Sequence, residues 1–202
     1  VLVVGAGPAG LAAALAAART GAHTVICERE PAVGGELEYE AVEIDGQSSM
    51  DWVNAAVSEL QTLSVRLLLD TTVVGKAARL VIAHREPSGL ADDATVYRIR
   101  AKRLVTATGA IEQFIAFIDN DRPGVMLLGA AERYLARYGV QVGKTVVLFG
   151  CHDRLYASAK RLIKGGMQVA SIIDTRTQTD SKLRIELMAT GVLCLLGHTV
   201  LA

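Results

Sequence analysis

The stretch Val1-Leu2-Val3-Val4-Gly5-Ala6-Gly7-Pro8-Ala9-Gly10-Leu11, continued by alanine-rich sequence to Arg19 and then by Thr24-Val25-Ile26-Cys27-Glu28, decides the fold. Val1 to Val4 reads as a buried strand, Leu11 to Arg19 as a helix with few bulky side chains, and Thr24 to Glu28 as a second strand. Together they make a βαβ unit. The turn inside it has the G-x-G-x-x-G spacing of a dinucleotide-binding loop. Gly5 allows the tight turn, Gly7 lets the backbone approach a pyrophosphate, and Gly10 lets helix and strand pack closely. Pro8 suits the first helical position, where no N–H is missed, and Ala9 follows it at the helix start, whose free N–H groups favour phosphates. Glu28 ends the second strand, where an acid accepts hydrogen bonds from an adenosine ribose. An acid there argues for NAD or FAD over NADP; Arg29 beside it argues the other way, since an arginine also accepts a 2′-phosphate.

Composition agrees with an α/β chain. Of 202 residues 51% are hydrophobic, and 21 basic side chains balance 21 acidic ones. Such a chain buries a substantial core, and zero net charge gives no electrostatic reason to expect nucleic acid or an anionic membrane as partner. Nineteen glycines against one Trp, five Tyr and three Phe fit close backbone approaches better than an aromatic-filled sandwich. Val1 to Ala18 carries no charge, yet its glycines and Pro8 break it into strand, turn and helix, so it is read as neither a membrane span nor a signal segment. Cys27, Cys151 and Cys194 are odd in number and far apart, which points to buried free thiols in a reducing cytoplasm and away from disulfides or a metal site. The start inside a strand, without Met, suggests a piece of a longer polypeptide.

Working outward, Gly34-Gly35 follow the first unit. Ser49 is expected to cap a helix carrying Trp52, Val53, Ala56, Val57 and Leu60 at helical spacing, with a strand near Val65 to Leu69 after it. Thr71 to Val74, Leu80 to Ala83 and Val96 to Arg100 read as an antiparallel meander, with Glu86 to Ala94 as a hairpin loop. Leu104 to Ala107 returns to the parallel sheet and stops at Thr108-Gly109-Ala110. A helix near Leu127 to Arg137 leads to a second βαβ unit: strand Thr145 to Phe149, helix Leu155 to Ile163 and strand Val169 to Asp174. Helix Lys182 to Ala189 and strand Val192 to Leu196 complete it. The expected division is 1–125, an incomplete first dinucleotide-binding domain, and 126–202, an inserted second one.

The glycine pair, the meander and Thr106-Ala107-Thr108-Gly109 are arranged as in two-dinucleotide-domain flavoproteins similar to glutathione and thioredoxin reductases. On the residues alone FAD is favoured, with Val73 reading the adenine and Thr108-Gly109 close to the cofactor. The second turn, Gly150-Cys151-His152-Asp153-Arg154-Leu155, keeps only its first glycine, so its fold is expected to persist without a ligand. No cysteine pair supports disulfide chemistry. His23, His84, His152 and His198 are scattered, so neither catalytic nor metal-ligating residues are assigned. Glu36, Glu38, Glu40 and Glu43 read as a solvated face, Glu36 being the possible exception because it follows Gly35 at the cofactor edge.

The segments VLVVGAGPAGLAAALAAARTGA, DWVNAAVSEL, TTVVGK, YRIRAKRLVTATGAIE, NDRPGVMLLGAAERYLARYGV and GKTVVLF resemble the middle of the alpha subunit of heterotetrameric sarcosine oxidase. The likeness covers nearly the whole chain, and related opine, proline and hydrogen cyanide-forming dehydrogenases share parts of it. It implies a glutathione-reductase-like fold, truncated here before the final stretch that closes the cofactor domain. It also implies an amine oxidoreductase whose partner subunits carry catalytic FAD, with FMN at a subunit interface and a non-catalytic NAD at this subunit's fingerprint. On that basis NAD replaces FAD as the expected ligand, held by Gly5, Gly7, Ala9, Gly10, Glu28, Arg29, Glu36 and Val73. The amine substrate would be met only in the complex.

Overall fold

The computed structural model describes residues 1–39, 42–87 and 93–201, and the chain divides into two compact units, Val1–Ala110 and Ile111–Ala202. Glu40 and most of the Glu86–Ala94 hairpin loop lie outside the described residues.

The first unit opens with β1 (Leu2–Val4), α1 (Pro8–Arg19) and β2 (Val25–Cys27). A short 3₁₀ turn, Gly35–Glu38, and the small hairpin β3 (Glu43–Ile44) and β4 (Gln47–Ser48) lead into α2 (Ser49–Thr62). Then come β5 (Arg66–Leu68), the meander β6 (Thr71–Ala77), β7 (Leu80–Arg85) and β8 (Thr95–Arg100), and finally β9 (Leu104–Thr106). β5, β2, β1 and β9 lie side by side in that order, all parallel. The meander forms its own antiparallel sheet.

Alternation in the strands builds two layers of core. Val3 and Ile26 face one way, into a cluster with Leu11, Ala14, Val53 and Leu60 of the two helices. Leu2 and Cys27 face the other way, against Val81 and Ala83 of the meander. A parallel sheet covered on both faces needs continuous apolar strands, and that is why Leu-Val-Val and Val-Ile-Cys do not alternate with polar residues. Alanines along α1 keep that helix thin; Gly10, Leu11, Ala14, Leu15 and Ala18 form its buried stripe.

Several boundaries differ from those read in the sequence. α1 begins at Pro8, three residues before Leu11, because proline's fixed φ is already helical and its missing N–H falls where none is needed. Ser48, not Ser49, caps α2: its hydroxyl accepts from the Asp51 N–H, while Ser49 lies buried and donates to the Leu37 carbonyl. β6 runs on to Ala77, past a register shift between Val73 and Gly75 that disguises the alternation.

The second unit contains α3 (Leu128–Tyr138), β10 (Thr145–Gly150), α4 (Arg154–Lys164), β11 (Gln168–Asp174), α5 (Lys182–Ala189) and β12 (Leu193–Leu196), with β10, β11 and β12 parallel. Leu148, Leu155, Tyr156, Ala159, Leu162 and Ile172 form its core. Before α3, the Glu112 carboxylate accepts from the Leu128 and Gly129 N–H groups at 3.2 and 2.7 Å, capping the helix from 16 residues away. The acid that ends the ATGAIE segment therefore has a structural task. A buried Glu132 joins Arg154 and Arg161 across α3 and α4.

Candidate functional site

The fingerprint turn is shaped by contacts that leave no room for side chains. Gly5 has φ +99°, and a Cβ there would lie 2.2 Å from the Ala107 carbonyl oxygen. At Gly10 a Cβ would lie 1.9 Å from the Gly5 carbonyl oxygen, so the helix packs directly on the turn. Gly7 differs: a Cβ there would meet nothing within 4 Å. Its open face, at the N-cap of α1, is the place a pyrophosphate needs, and this is the structural fit of the turn to a dinucleotide. Gly7 and Ala9 keep backbone N–H groups with no protein acceptor among the described residues, and Pro8 has none to satisfy.

Glu28 stands beside the turn immediately after β2. One oxygen of its carboxylate accepts from the Ala6 N–H at 2.5 Å and the other from the Glu30 N–H at 2.8 Å. The side chain is half-buried and aimed at the turn. A carboxylate oxygen can accept more than one hydrogen bond, so capacity for ribose hydroxyls remains. Arg29 points outward, exposed, and pairs with Glu30 at 3.4 Å. Beneath, burial pushes the Cys27 thiol up to about 11, which keeps it neutral and inert.

The other sequence-selected residues fall around this turn. Gly34 donates to the Ala6 carbonyl at 2.8 Å with φ +106°, and Gly35 follows with φ +56°, its Cβ position 3.2 Å from the Gly7 Cα. The glycine pair thus packs against the fingerprint turn and leaves the Gly7 face open. Glu36 is exposed at the start of the 3₁₀ turn. The Thr71 N–H donates to the Glu28 carbonyl at 2.8 Å, starting β6 at the acid and placing Val73 two residues along, half-buried. Thr108 and Gly109 follow β9, with the Thr108 Cα under Gly5 and Gly109 at φ +71°. Sequence reasoning missed Ala6, whose N–H and C=O join acid, turn and glycine pair, and Ala107, whose carbonyl forces glycine at position 5. Neither residue type carries a signal, because both act through the backbone.

The second turn is built differently. Asp174 pairs in register with Gly150 at the end of β11, the place that Glu28 occupies in the first unit, and it is fully buried. It accepts from the Tyr156 hydroxyl at 2.8 Å and from the Arg176 guanidinium, whose Nη2 also reaches Asp153 at 2.7 Å. Burial alone would raise the Asp174 carboxyl; hydrogen bonds from Arg176 and Tyr156 outweigh it and hold the group below its ordinary value. Leu155 packs on Gly150, with its Cδ2 3.0 Å from where a Cβ would stand. Cys151, expected to be buried, is exposed on this turn, since the strand ends at Gly150 and the chain leaves the sheet there.

Among the described residues no group of three or more His, Cys, Asp or Glu is placed to hold a metal, and no helix is long and apolar enough to cross a membrane.

A parallel sheet with a glycine turn, an acid after its second strand and a meander on its back defines a dinucleotide-binding α/β oxidoreductase fold. Residues 1–106 match the FAD dependent oxidoreductase family, and the chain belongs to it. It is 41% identical over 99% of its length to the sarcosine oxidase subunit alpha of Corynebacterium sp. (strain P-1), and 37% identical over 96% to that of Rhizobium meliloti (strain 1021). It spans 22% and 21% of the length of those relatives. Among solved structures, L-proline dehydrogenase from P. horikoshii superposes with a TM-score of 0.70 at 24% identity, over 90% of this chain and 36% of that one. The fold is of the glutathione-reductase-like kind expected from the sequence.

Proposed function

We propose that this chain is the dinucleotide-holding part of an alpha subunit of a sarcosine oxidase-like amine oxidoreductase, and that the fingerprint turn holds a non-catalytic NAD. The observation that carries a dinucleotide at this turn is the pairing of an open Gly7 face with an anchored Glu28 carboxylate. Gly5, Gly7, Pro8, Ala9 and Gly10 would cradle the pyrophosphate, Glu28 the adenosine ribose, and Gly35, Glu36, Val73, Thr108 and Gly109 the borders of the site. The choice of NAD rests on the resemblance to sarcosine oxidase alpha subunits. FAD and FMN, held in an assembled, cytoplasmic hetero-oligomer, would on this reading supply the redox chemistry for amine oxidation. In this reading residues 1–125 are the first cofactor domain and 126–202 an inserted one.

FAD at the same turn is the second reading, favoured by the match to the FAD dependent oxidoreductase family over residues 1–106. Heat denaturation of the intact subunit and identification of the released nucleotide separates the readings. NAD supports the first, FAD the second, and an intact subunit that releases no nucleotide overturns both.

A further inference from the structure

An open groove of about 500 Å³ lies at the turn end of the meander, lined by Ala78, Leu80 and Ala101 together with Arg79, Arg100 and Lys102. Backbone geometry brings these cations together. Ala78 takes φ +50° in the β6–β7 turn, the Arg79 carbonyl accepts from the Ala101 N–H at 3.0 Å, and Leu80 pairs across strands with Arg100. All three cationic side chains are exposed, and none has a carboxylate partner among the described residues.

The sequence explains the lack of partners. Residues 71–84 and 94–111 contain six basic side chains and no Asp or Glu, although the whole chain is neutral, and the acids between them, Glu86, Asp92 and Asp93, fall in the β7–β8 connection and not at the β6–β7 turn. Like charges on neighbouring strands repel, so this end of the sheet is less stable alone than when an anionic surface neutralises it. The charge extends beyond the groove, to Lys76 on β6, Arg98 on β8 and Arg103 before β9. Sites for small ligands enclose most of the ligand with a few convergent polar groups. Here the cations are on long exposed side chains spread over a sheet end, a pattern suited to a broad partner.

We propose that this basic turn end is a docking face for an acidic surface of another subunit of the complex. The inference rests on the reading of this chain as an oxidase subunit, and it adds where on the chain one contact is made and with what charge. Charges on such a face steer encounter and set salt dependence more than they add affinity.

The test uses the full-length subunit assembled with its partner subunits, comparing wild type with the triple variant R79E/R100E/K102E at low and raised salt. Association of the variant is expected to be about tenfold weaker at low salt, with its salt dependence flattened and its bound nucleotide unchanged. Wild-type association by the variant at both salt concentrations overturns the proposal. If the reversed charges impair folding, R79Q/R100Q/K102Q, which removes charge without reversing it, carries the same comparison. Inorganic pyrophosphate that raises the melting temperature of wild type alone, while the variant assembles normally, overturns it in favour of a free-anion site. A wild-type subunit that retains its nucleotide yet assembles with no partner overturns the subunit reading and this inference with it.

Discussion

The Glu28 carboxylate accepts a hydrogen bond from the Ala6 backbone N–H, so the acid after the second strand is fixed to the glycine turn before any ligand is considered. Its second oxygen takes the Glu30 N–H. This prepares the acid for a ribose, since its rotamer is settled by the protein. Glu28→Ala removes an acceptor and leaves two N–H groups to find others. Binding of NAD to the intact subunit should weaken by about 1–3 kcal/mol, the usual worth of a charged hydrogen bond. Titration calorimetry measures this, and wild-type protein that prefers NADP over NAD would show the acid to have another role.

Gly7 and Gly10 differ in one respect that mutation can expose. Alanine at Gly10 would drive its Cβ to 1.9 Å from a backbone oxygen, and backbone cannot yield as a side-chain tip does. Gly10→Ala should cost about 3 kcal/mol or more of stability. Alanine at Gly7 meets nothing, and φ −71° with ψ −176° suits any residue. Gly7→Ala should leave stability unchanged or raise it by about 0.4–1 kcal/mol while abolishing nucleotide binding. Denaturant melts beside binding isotherms check both, and unimpaired nucleotide binding by Gly7→Ala would place the pyrophosphate elsewhere.

The local part of this site was legible in the sequence. Gly5, Gly7, Pro8, Gly10 and Glu28 lie within one βαβ unit, and their spacing states their geometry. What joins that unit to the rest was not legible. The Ala107 carbonyl under Gly5 and the Gly34 N–H on Ala6 are backbone contacts between distant segments, and a backbone group has no residue-type signature. Cap placement failed by one residue for a similar reason: Ser48 and Ser49 are chemically identical, and only burial against Leu37 decides which one points outward. Cys151 looked buried because a strand's apolar run precedes it, but Gly150 already ends the strand.

The three thiols should separate by reactivity. Cys27 and Cys194 are buried, and burial raises both thiols, Cys27 to about 11, so few thiolates form near neutral pH. Cys151 is exposed. Brief iodoacetamide treatment of the folded protein should modify Cys151 alone, and Cys151→Ser should leave no rapidly reacting thiol. Peptide mass spectrometry reads the site; rapid labelling of Cys27 would mean that the sheet opens easily.

Acid should destabilise the second unit through Asp174. Its folded carboxyl is held below the ordinary value by Arg176 and Tyr156 despite burial. A depressed value contributes stability that is present above the unfolded value of about 3.9 and is lost as pH falls toward the folded one. Stability from this group is therefore complete at neutral pH and declines below about pH 4. Arg176→Ala leaves a buried charge without its main partner and should cost about 3–5 kcal/mol at pH 7. Asp174→Asn should flatten the acid limb of the stability profile, and an unaltered limb would assign acid sensitivity to other carboxylates.

The second turn should bind no dinucleotide, and its structure supplies the reason in three parts. Leu155 fills the space against Gly150 that a third fingerprint glycine would leave for close helix packing. Asp174, in the place of the ribose acid, is fully buried, and its oxygens are taken up by the Tyr156 hydroxyl and the Arg176 N–H groups. Arg176 also bridges to Asp153 at the helix N-cap, so a carboxylate stands at a helix start where phosphates would need positive potential. The Gly7→Ala variant isolates this turn, because the first site is then blocked. Titration of that variant with NADH should show no saturable binding by fluorescence. One-to-one binding that survives Gly7→Ala and disappears in a Gly7→Ala, Asp174→Ala double variant would mean that the second turn has kept a ligand, with Arg176 moving aside to admit it.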